Sequence, residues 1–189
     1  MYRCLIANRG EIAVRIIRAC RELDIETVAI YALGDEKSLH VSLADQAVCI
    51  GDANPLESYL NQDRIISAAK ITGANAIHPG YGFLSESSSF AKKVEENDIY
   101  FIGPTQNTME MMGDKITARQ TVDNAGVPII PGSTKAVESI EEVQNIAQEI
   151  GYPLVLKAAS GGGGKGIRIV KTEDMLAKSF TEAKSEGKK

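Results

Sequence analysis

Of 189 residues only three are cysteine, and none stands at a metal-ligand spacing from another. That odd, sparse set is neither a disulfide framework nor a zinc site. Cys4, Cys20 and Cys49 each fall in an apolar strand or helix pattern, so buried, reduced thiols of a cytoplasmic protein are expected. An excess of basic residues is lacking too. A net charge of −4 and a pI near 5.3 argue against a nucleic-acid-binding surface as the main business. No apolar run approaches the length of a membrane span, and no signal peptide is visible. What is left, 43% hydrophobic and 24% charged, is the composition of a globular chain that fills one or two domains.

Glycine, by contrast, is concentrated. Gly161-Gly162-Gly163-Gly164-Lys165-Gly166 stands between two strand-forming runs, Tyr152 to Ala159 and Ile167-Arg168-Ile169-Val170. Glycine adds nothing to a core and costs the most backbone entropy; its use here is to let backbone N–H groups approach a ligand. With Lys165 inside the loop and Lys157 on the strand before it, an anion such as phosphate is the natural partner. The spacing satisfies G-x-G-x-x-G through Gly161, Gly163 and Gly166, but a dinucleotide loop opens a helix, whereas a β-branched strand follows here. A P-loop is excluded as well, since Gly166 stands where Ser or Thr is needed and Ala159 where the first glycine is needed. A strand–loop–strand hairpin closing over phosphates remains. Protein kinases use such a lid, but their H-R-D and D-F-G signatures are absent. Lys157 reads either as an edge lysine with its stem on apolar neighbours or as a cation beside the phosphates, and the nearness of the loop favours the second.

Upstream, short strands and helices alternate. Strands are expected at Arg3–Ala7, Thr27–Ala32, Ala47–Ile50, Asn75–His78 and Ile99–Ile102. The helices between them run from Glu11 to Leu23, with Ile12, Ile16, Cys20 and Leu23 on one stripe, around Val41–Ala44, from Arg64 to Ile71 ending at Gly73, and from Ser88 to Glu96. This alternation means an open parallel α/β sheet with a ligand crevice at the C-terminal strand ends. Those ends carry the unusual residues: Asn8-Arg9-Gly10-Glu11 after the first strand, and His78-Pro79-Gly80-Tyr81-Gly82-Phe83-Leu84-Ser85-Glu86 after the fourth. Tyr81 and Glu86 are expected to face a ligand, and His78 to be either a packed loop residue or a site residue. Beyond Gly103-Pro104 come a helix through Met109, Met111 and Met112, taken as core filler, a helix from Ile116 to Ala125, and a stiff Val127–Gly132 segment. A helix from Ile140 to Ile150 precedes the glycine hairpin, and a last helix begins near Glu173. The pattern ends without a closing strand and reads as an interrupted domain.

Ile6-Ala7-Asn8-Arg9-Gly10-Glu11-Ile12-Ala13, the His78–Glu86 loop, Phe101-Ile102-Gly103-Pro104, Met112-Gly113-Asp114-Lys115 and Lys157 through Gly166 occur in this order. In that combination the chain resembles the N-terminal portion of biotin carboxylases, members of the ATP-grasp superfamily. The resemblance implies a Rossmann-like (pre-ATP-grasp) α/β domain over 1–104, a helical linker over 105–131 and a truncated ATP-grasp lid subdomain over 132–189. It also implies an ATP-dependent ligase that forms carboxyphosphate from ATP and bicarbonate and passes the carboxyl group to biotin on a carrier protein. Lys115, Lys157, Gly163, Gly164 and Lys165 match ATP-binding positions, and Tyr81 and Gly82 match the loop facing biotin. Ser87-Ser88-Ser89 departs from the asparagine of many relatives. By the same resemblance the Mg2+ ligands, the bicarbonate site and the catalytic base and arginine are expected beyond residue 189, so that this chain alone is inactive. The implied partners are a biotin carboxyl carrier protein, carboxyltransferase subunits or domains, and a second copy in a homodimer, with Arg15, Arg18 and Glu22 of the first helix near that interface. Two other readings stay open: another ATP-grasp ligase, such as a carbamoyl-phosphate synthetase, and a non-catalytic nucleotide-binding or assembly module.

Overall fold

Each short apolar strand is followed by a helix whose apolar residues share one face. The elements in order are β1 (Arg3–Ile6), α1 (Gly10–Glu22), β2 (Glu26–Ala32), α2 (Leu39–Leu43), β3 (Gln46–Gly51), α3 (Gln62–Thr72), β4 (Ala76–His78), α4 (Ser88–Glu95), β5 (Tyr100–Phe101) and α5 (Gln106–Gly113). They form the first of two compact units, which ends at Gly113; the second begins at Asp114. The computed structural model describes residues 2–133, 135–157 and 167–186.

The five strands pair in the order β3-β2-β1-β4-β5, all parallel. Strand order therefore reverses between β1 and β4. Alternation along the strands sends Leu5, Val28, Ile30 and Ile77 to one face, where Ile65 and Ala69 of α3 and Phe90 and Val94 of α4 cover them. Cys4 and Ile6 point the other way, under Ala13, Ile16, Ile17 and Cys20 of α1. Phe90 meets Phe101 edge-on, with centroids 6.0 Å apart. Helix ends follow local chemistry. The Asn61 and Ser87 side chains accept the Arg64 and Phe90 amides at 3.2 Å each and start α3 and α4, and Gly73 ends α3 at φ 67°.

Some sequence expectations are corrected. Leu23 lies one residue past the end of α1, off its buried face, and is 70% exposed. Cys49 is exposed, because alternation on the edge strand β3 turns it to the face opposite Ile50. Met109 packs on the core, whereas Met112, in the last turn of α5, is exposed. Among the described residues no helix is long and apolar enough to cross a membrane.

At the start of β2, Asp45 Oδ2 accepts both the Thr27 amide at 2.8 Å and the Thr27 hydroxyl at 2.7 Å. Those bonds hold the Asp45 carboxyl below its usual range. A depressed folded-state value means that the stabilisation is complete above the ordinary carboxyl pKa of about 3.9 and is lost as pH falls through the folded value. Asp45→Asn is expected to lower Tm at pH 7 and to flatten the acid-side fall of Tm, measured by melting between neutral and acid pH.

The second unit comprises α6 (Lys115–Asn124), α7 (Ile140–Ile150), β6 (Leu154–Lys157), β7 (Ile167–Val170) and α8 (Leu176–Glu186). Val143, Ala147, Leu154, Val170 and Leu176 form its core. The Ser139 side chain accepts the Glu142 amide at 3.2 Å, and Glu142 reaches back to accept the Glu138 amide at 3.0 Å, which seals the start of α7.

Candidate functional site

Open parallel sheets take ligands where strand order reverses, beyond the C-terminal strand ends. Here that point lies after β1 and β4, and it joins the two loops singled out in the sequence. The Ala7 amide donates to the His78 carbonyl at 2.8 Å. Next to it Asn8, 3% exposed, donates from Nδ2 to the carbonyls of Pro79 and Tyr81, both at 2.8 Å. The Gly80 amide donates to His78 Nδ1 at 3.0 Å, so the ring carries its proton on Nε2, and burial lowers its pKa and keeps it neutral. His78 is thus a turn-closing residue. Gly80 has φ 66°, and a Cβ there would stand 2.9 Å from Asn8 Nδ2, so the close approach requires glycine. Tyr81 emerges 58% exposed, and with Gly82 and Phe83 it walls a shallow groove of about 400 Å3 against Asn8–Ile12. Glu86 is exposed.

The far side of the groove is propped by a buried aromatic. Tyr59 is fully buried; its hydroxyl donates to Asp35 Oδ2 at 2.7 Å and accepts the Ala32 amide at 3.1 Å. Phe83, itself at φ 42°, stacks on the Tyr59 ring at 5.1 Å, and the Arg9 guanidinium lies 5.5 Å from the same ring. Arg9 also pairs with Asp35 at 3.0 Å. Burial pushes the Asp35 carboxyl up, but the Tyr59 hydroxyl and Arg9 outweigh it and hold the group below the usual carboxylate range. Burial first, then the bond to Asp35, pushes the Tyr59 phenol well up, so it stays a neutral donor.

A larger groove, about 810 Å3, runs along α1 past Arg15, Arg18 and Glu22 to the segment Ser38–His40. His40 is buried and donates from Nε2 to the Ile30 carbonyl at 3.2 Å.

In the second unit, Lys115 is the first residue of α6, just after Asp114, whose side chain accepts the Thr117 amide at 2.8 Å and caps the helix. The hairpin register pairs Leu154 with Val170, Val155 with Ile169, Leu156 with Arg168 and Lys157 with Ile167. Opposed residues share a face. Leu154 and Val170 are buried on α7 and α8, and Arg168 pairs with Glu182 of α8 at 3.4 Å. The opposite face is exposed: Val155 at 51%, Ile169 at 62% and Ile167 at 41%, with Lys157 at its end. Such a strip offers an exposed apolar surface that terminates in a cation, Lys157, the last described residue before the glycine run. Gly163, Gly164 and Lys165 lie outside the described residues.

Residues 1–109 match the family model for the biotin carboxylase N-terminal domain, and 114–189 that for the ATP-binding domain of the carbamoyl-phosphate synthase L chain. The chain belongs to the biotin carboxylase family. It is 56% identical over 174 residues to biotin carboxylase 1 of Bacillus subtilis, a match covering 92% of this chain and 39% of that protein. The structure of Campylobacter jejuni biotin carboxylase in a β-γ-ATP complex superposes with TM-score 0.88 at 47% identity, over 97% of this chain and 41% of that one. The biotin carboxylase domain dimer of Hydrogenobacter thermophilus 2-oxoglutarate carboxylase, solved with MgADP, ADP and bicarbonate, gives TM-score 0.85 at 51% identity, over 97% and 40% of the two chains. The chain thus spans about two fifths of the length of the biotin carboxylases it matches.

Within this biotin carboxylase fold, the structure gathers Tyr81 and Gly82 at the switch point and sets Lys157 on an open hairpin face. Sequence reasoning gave no role to Asn8, Asp35 or Tyr59, whose partners are remote in the chain, nor to Val155, Ile167 and Ile169. Period-two spacing from Lys157 was the available signal for the last group. Of Ser87, Ser88 and Ser89, Ser87 caps α4, and Ser89 Oγ accepts a bond from Gln62 Nε2 at 3.1 Å.

Proposed function

We propose that these residues serve the first half-reaction of a biotin-dependent carboxylase. A bicarbonate oxygen attacks the γ-phosphorus of ATP, ADP departs, and the resulting carboxyphosphate gives its carboxyl group to N1′ of carrier-bound biotin, the N1′ proton leaving on the released phosphate. The observation that carries the reading is the exposed hairpin strip, Val155, Ile169 and Ile167 leading to Lys157. An adenine base packs on apolar side chains, and phosphoryl transfer asks chiefly for positioning and charge neutralisation, which lysines and glycine-loop amides provide. Lys115, Lys157, Gly163, Gly164 and Lys165 are assigned to ATP, and Tyr81 and Gly82 to the biotin side. In this assignment 1–104 is the biotin-side domain, 105–131 a linker and 132–189 the lid.

Among the described residues no three carboxylates, histidines or cysteines converge as a metal cluster. The proposed partners are a biotin carboxyl carrier protein, a carboxyltransferase and a second copy, the Hydrogenobacter relative being a dimer. Acetyl-CoA is the proposed final acceptor, as for a carboxylase component of fatty acid synthesis, and the cytoplasm is the proposed location.

The test is ATP turnover by the complete carboxylase with bicarbonate, with and without free biotin, alongside carboxybiotin formation. Stimulation by biotin is expected; turnover indifferent to biotin would point to another ATP-grasp ligase. The 189-residue chain by itself is expected to show no biotin-dependent ATP hydrolysis in the same assay.

A further inference from the structure

We propose that Asn8 is a positioning residue for the backbone that meets biotin, an inference that rests on the assignment of Tyr81 and Gly82 to the biotin side. Three observations converge on it. Asn8 is 3% exposed, yet both of its Nδ2 bonds, at 2.8 Å, go to carbonyls of one turn, Pro79 and Tyr81, rather than to its own strand or helix. Gly80, between those carbonyls, presses against the carboxamide so closely that a Cβ would come within 2.9 Å of Nδ2. The Asn8 Oδ1 accepts the Arg9 amide at 2.9 Å, which sets the plane of the carboxamide and aims both N–H bonds.

A side-chain amide is the one group of this size with two N–H donors on one atom and an acceptor on the neighbouring oxygen. The carboxamide therefore fixes the direction of the 79–81 carbonyls, and through them the exit angle of Tyr81 and the amide of Gly82, which line the groove. Asn8 touches no substrate; it acts through the turn.

Asn8→Asp keeps the shape but sets a carboxylate oxygen against two carbonyl oxygens, so the turn must shift. In the complete carboxylase, kcat/KM for free biotin is expected to fall about a hundredfold, the scale of a misplacement of roughly 1 Å, while KM for ATP keeps its wild-type value. Asp45→Asn, at the other end of the sheet, serves as the control: it lowers Tm and leaves the biotin parameters unchanged. If Asn8→Asp lowers Tm while biotin kcat/KM stays with that control, Asn8 is merely structural and the proposal is overturned. Where Asn8→Asp does not fold, Gly80→Ala decides, since its Cβ displaces the carboxamide; the same biotin-selective loss is expected, and its absence overturns the proposal. A wild-type carboxylase that turns over ATP without responding to biotin removes the functional reading, and this one with it.

Discussion

Lys157→Met in the complete carboxylase is expected to lower kcat/KM for ATP by about a hundredfold, the usual loss when one preorganised group facing transferred charge is removed. Methionine keeps the length and apolar stem of lysine and deletes only the charge. Stability is expected to hold, because Leu154 and Leu156 face α7 and α8 while Lys157 stands on the exposed face with Val155 and Ile169; exposed substitutions of this kind stay within about 0.5 kcal/mol. Lys157→Arg is expected to recover part of the activity, since it restores the charge with a different reach. The readouts are steady-state kinetics with ATP varied at saturating biotin, and the melting temperature. Unchanged kcat/KM for ATP in Lys157→Met would remove Lys157 from the proposed phosphate site. A fall in Tm with no kinetic change would make it an edge-strand residue only.

What the sequence made legible was what neighbouring residues decide. Gly73 ended α3 because a left-handed C-terminal residue is a local requirement, and the hairpin followed from apolar, strand-forming runs on both sides of the glycines. The parallel sheet was legible from strand–helix alternation. Its order, β3-β2-β1-β4-β5, was not, because register between strands depends on which faces are buried, and every apolar strand satisfies several pairings. The same limit governed the site. Tyr81 and Gly82 stood out by composition, but what holds them comes from far along the chain: Asn8 bonds Pro79 and Tyr81 across 71 and 73 residues, and Tyr59 bonds Asp35 across 24. No local spacing encodes such pairs. Leu23 and Cys49 failed for a related reason, since periodicity marks a face but not where the covering element stops.

Gly51→Ala is expected to be the most damaging single-methyl change in the first unit. Gly51 ends β3 at φ 135°, a backbone conformation that side chains rarely adopt, and the added Cβ would overlap Arg64 Nη1 and the Glu57 backbone oxygen. Arg64 is flexible and can swing away, but doing so gives up its 3.1 Å bond to the Ile50 carbonyl. Glu57 is backbone in a 3-10 turn and cannot. Strain and overpacking each cost about 1–3 kcal/mol, so a loss of roughly 3 kcal/mol is expected, or about 15 °C in Tm for a unit of this size. Gly34→Ala separates the two terms. Gly34 has φ 99° but nothing within 4 Å of a built Cβ, so it carries the strain without the overlap and is expected to cost about 1 kcal/mol. The consequence reaches the groove, because the chain displaced at Glu57 continues two residues later into Tyr59, the ring on which Phe83 stacks. Gly51→Ala is therefore also expected to raise KM for biotin when assayed below its own melting temperature, whereas Gly34→Ala leaves it unchanged. Equal melting temperatures for the two variants would show that the Glu57 turn yields freely, and with it the idea that Tyr59 is a rigid prop for the loop proposed to face biotin would fall.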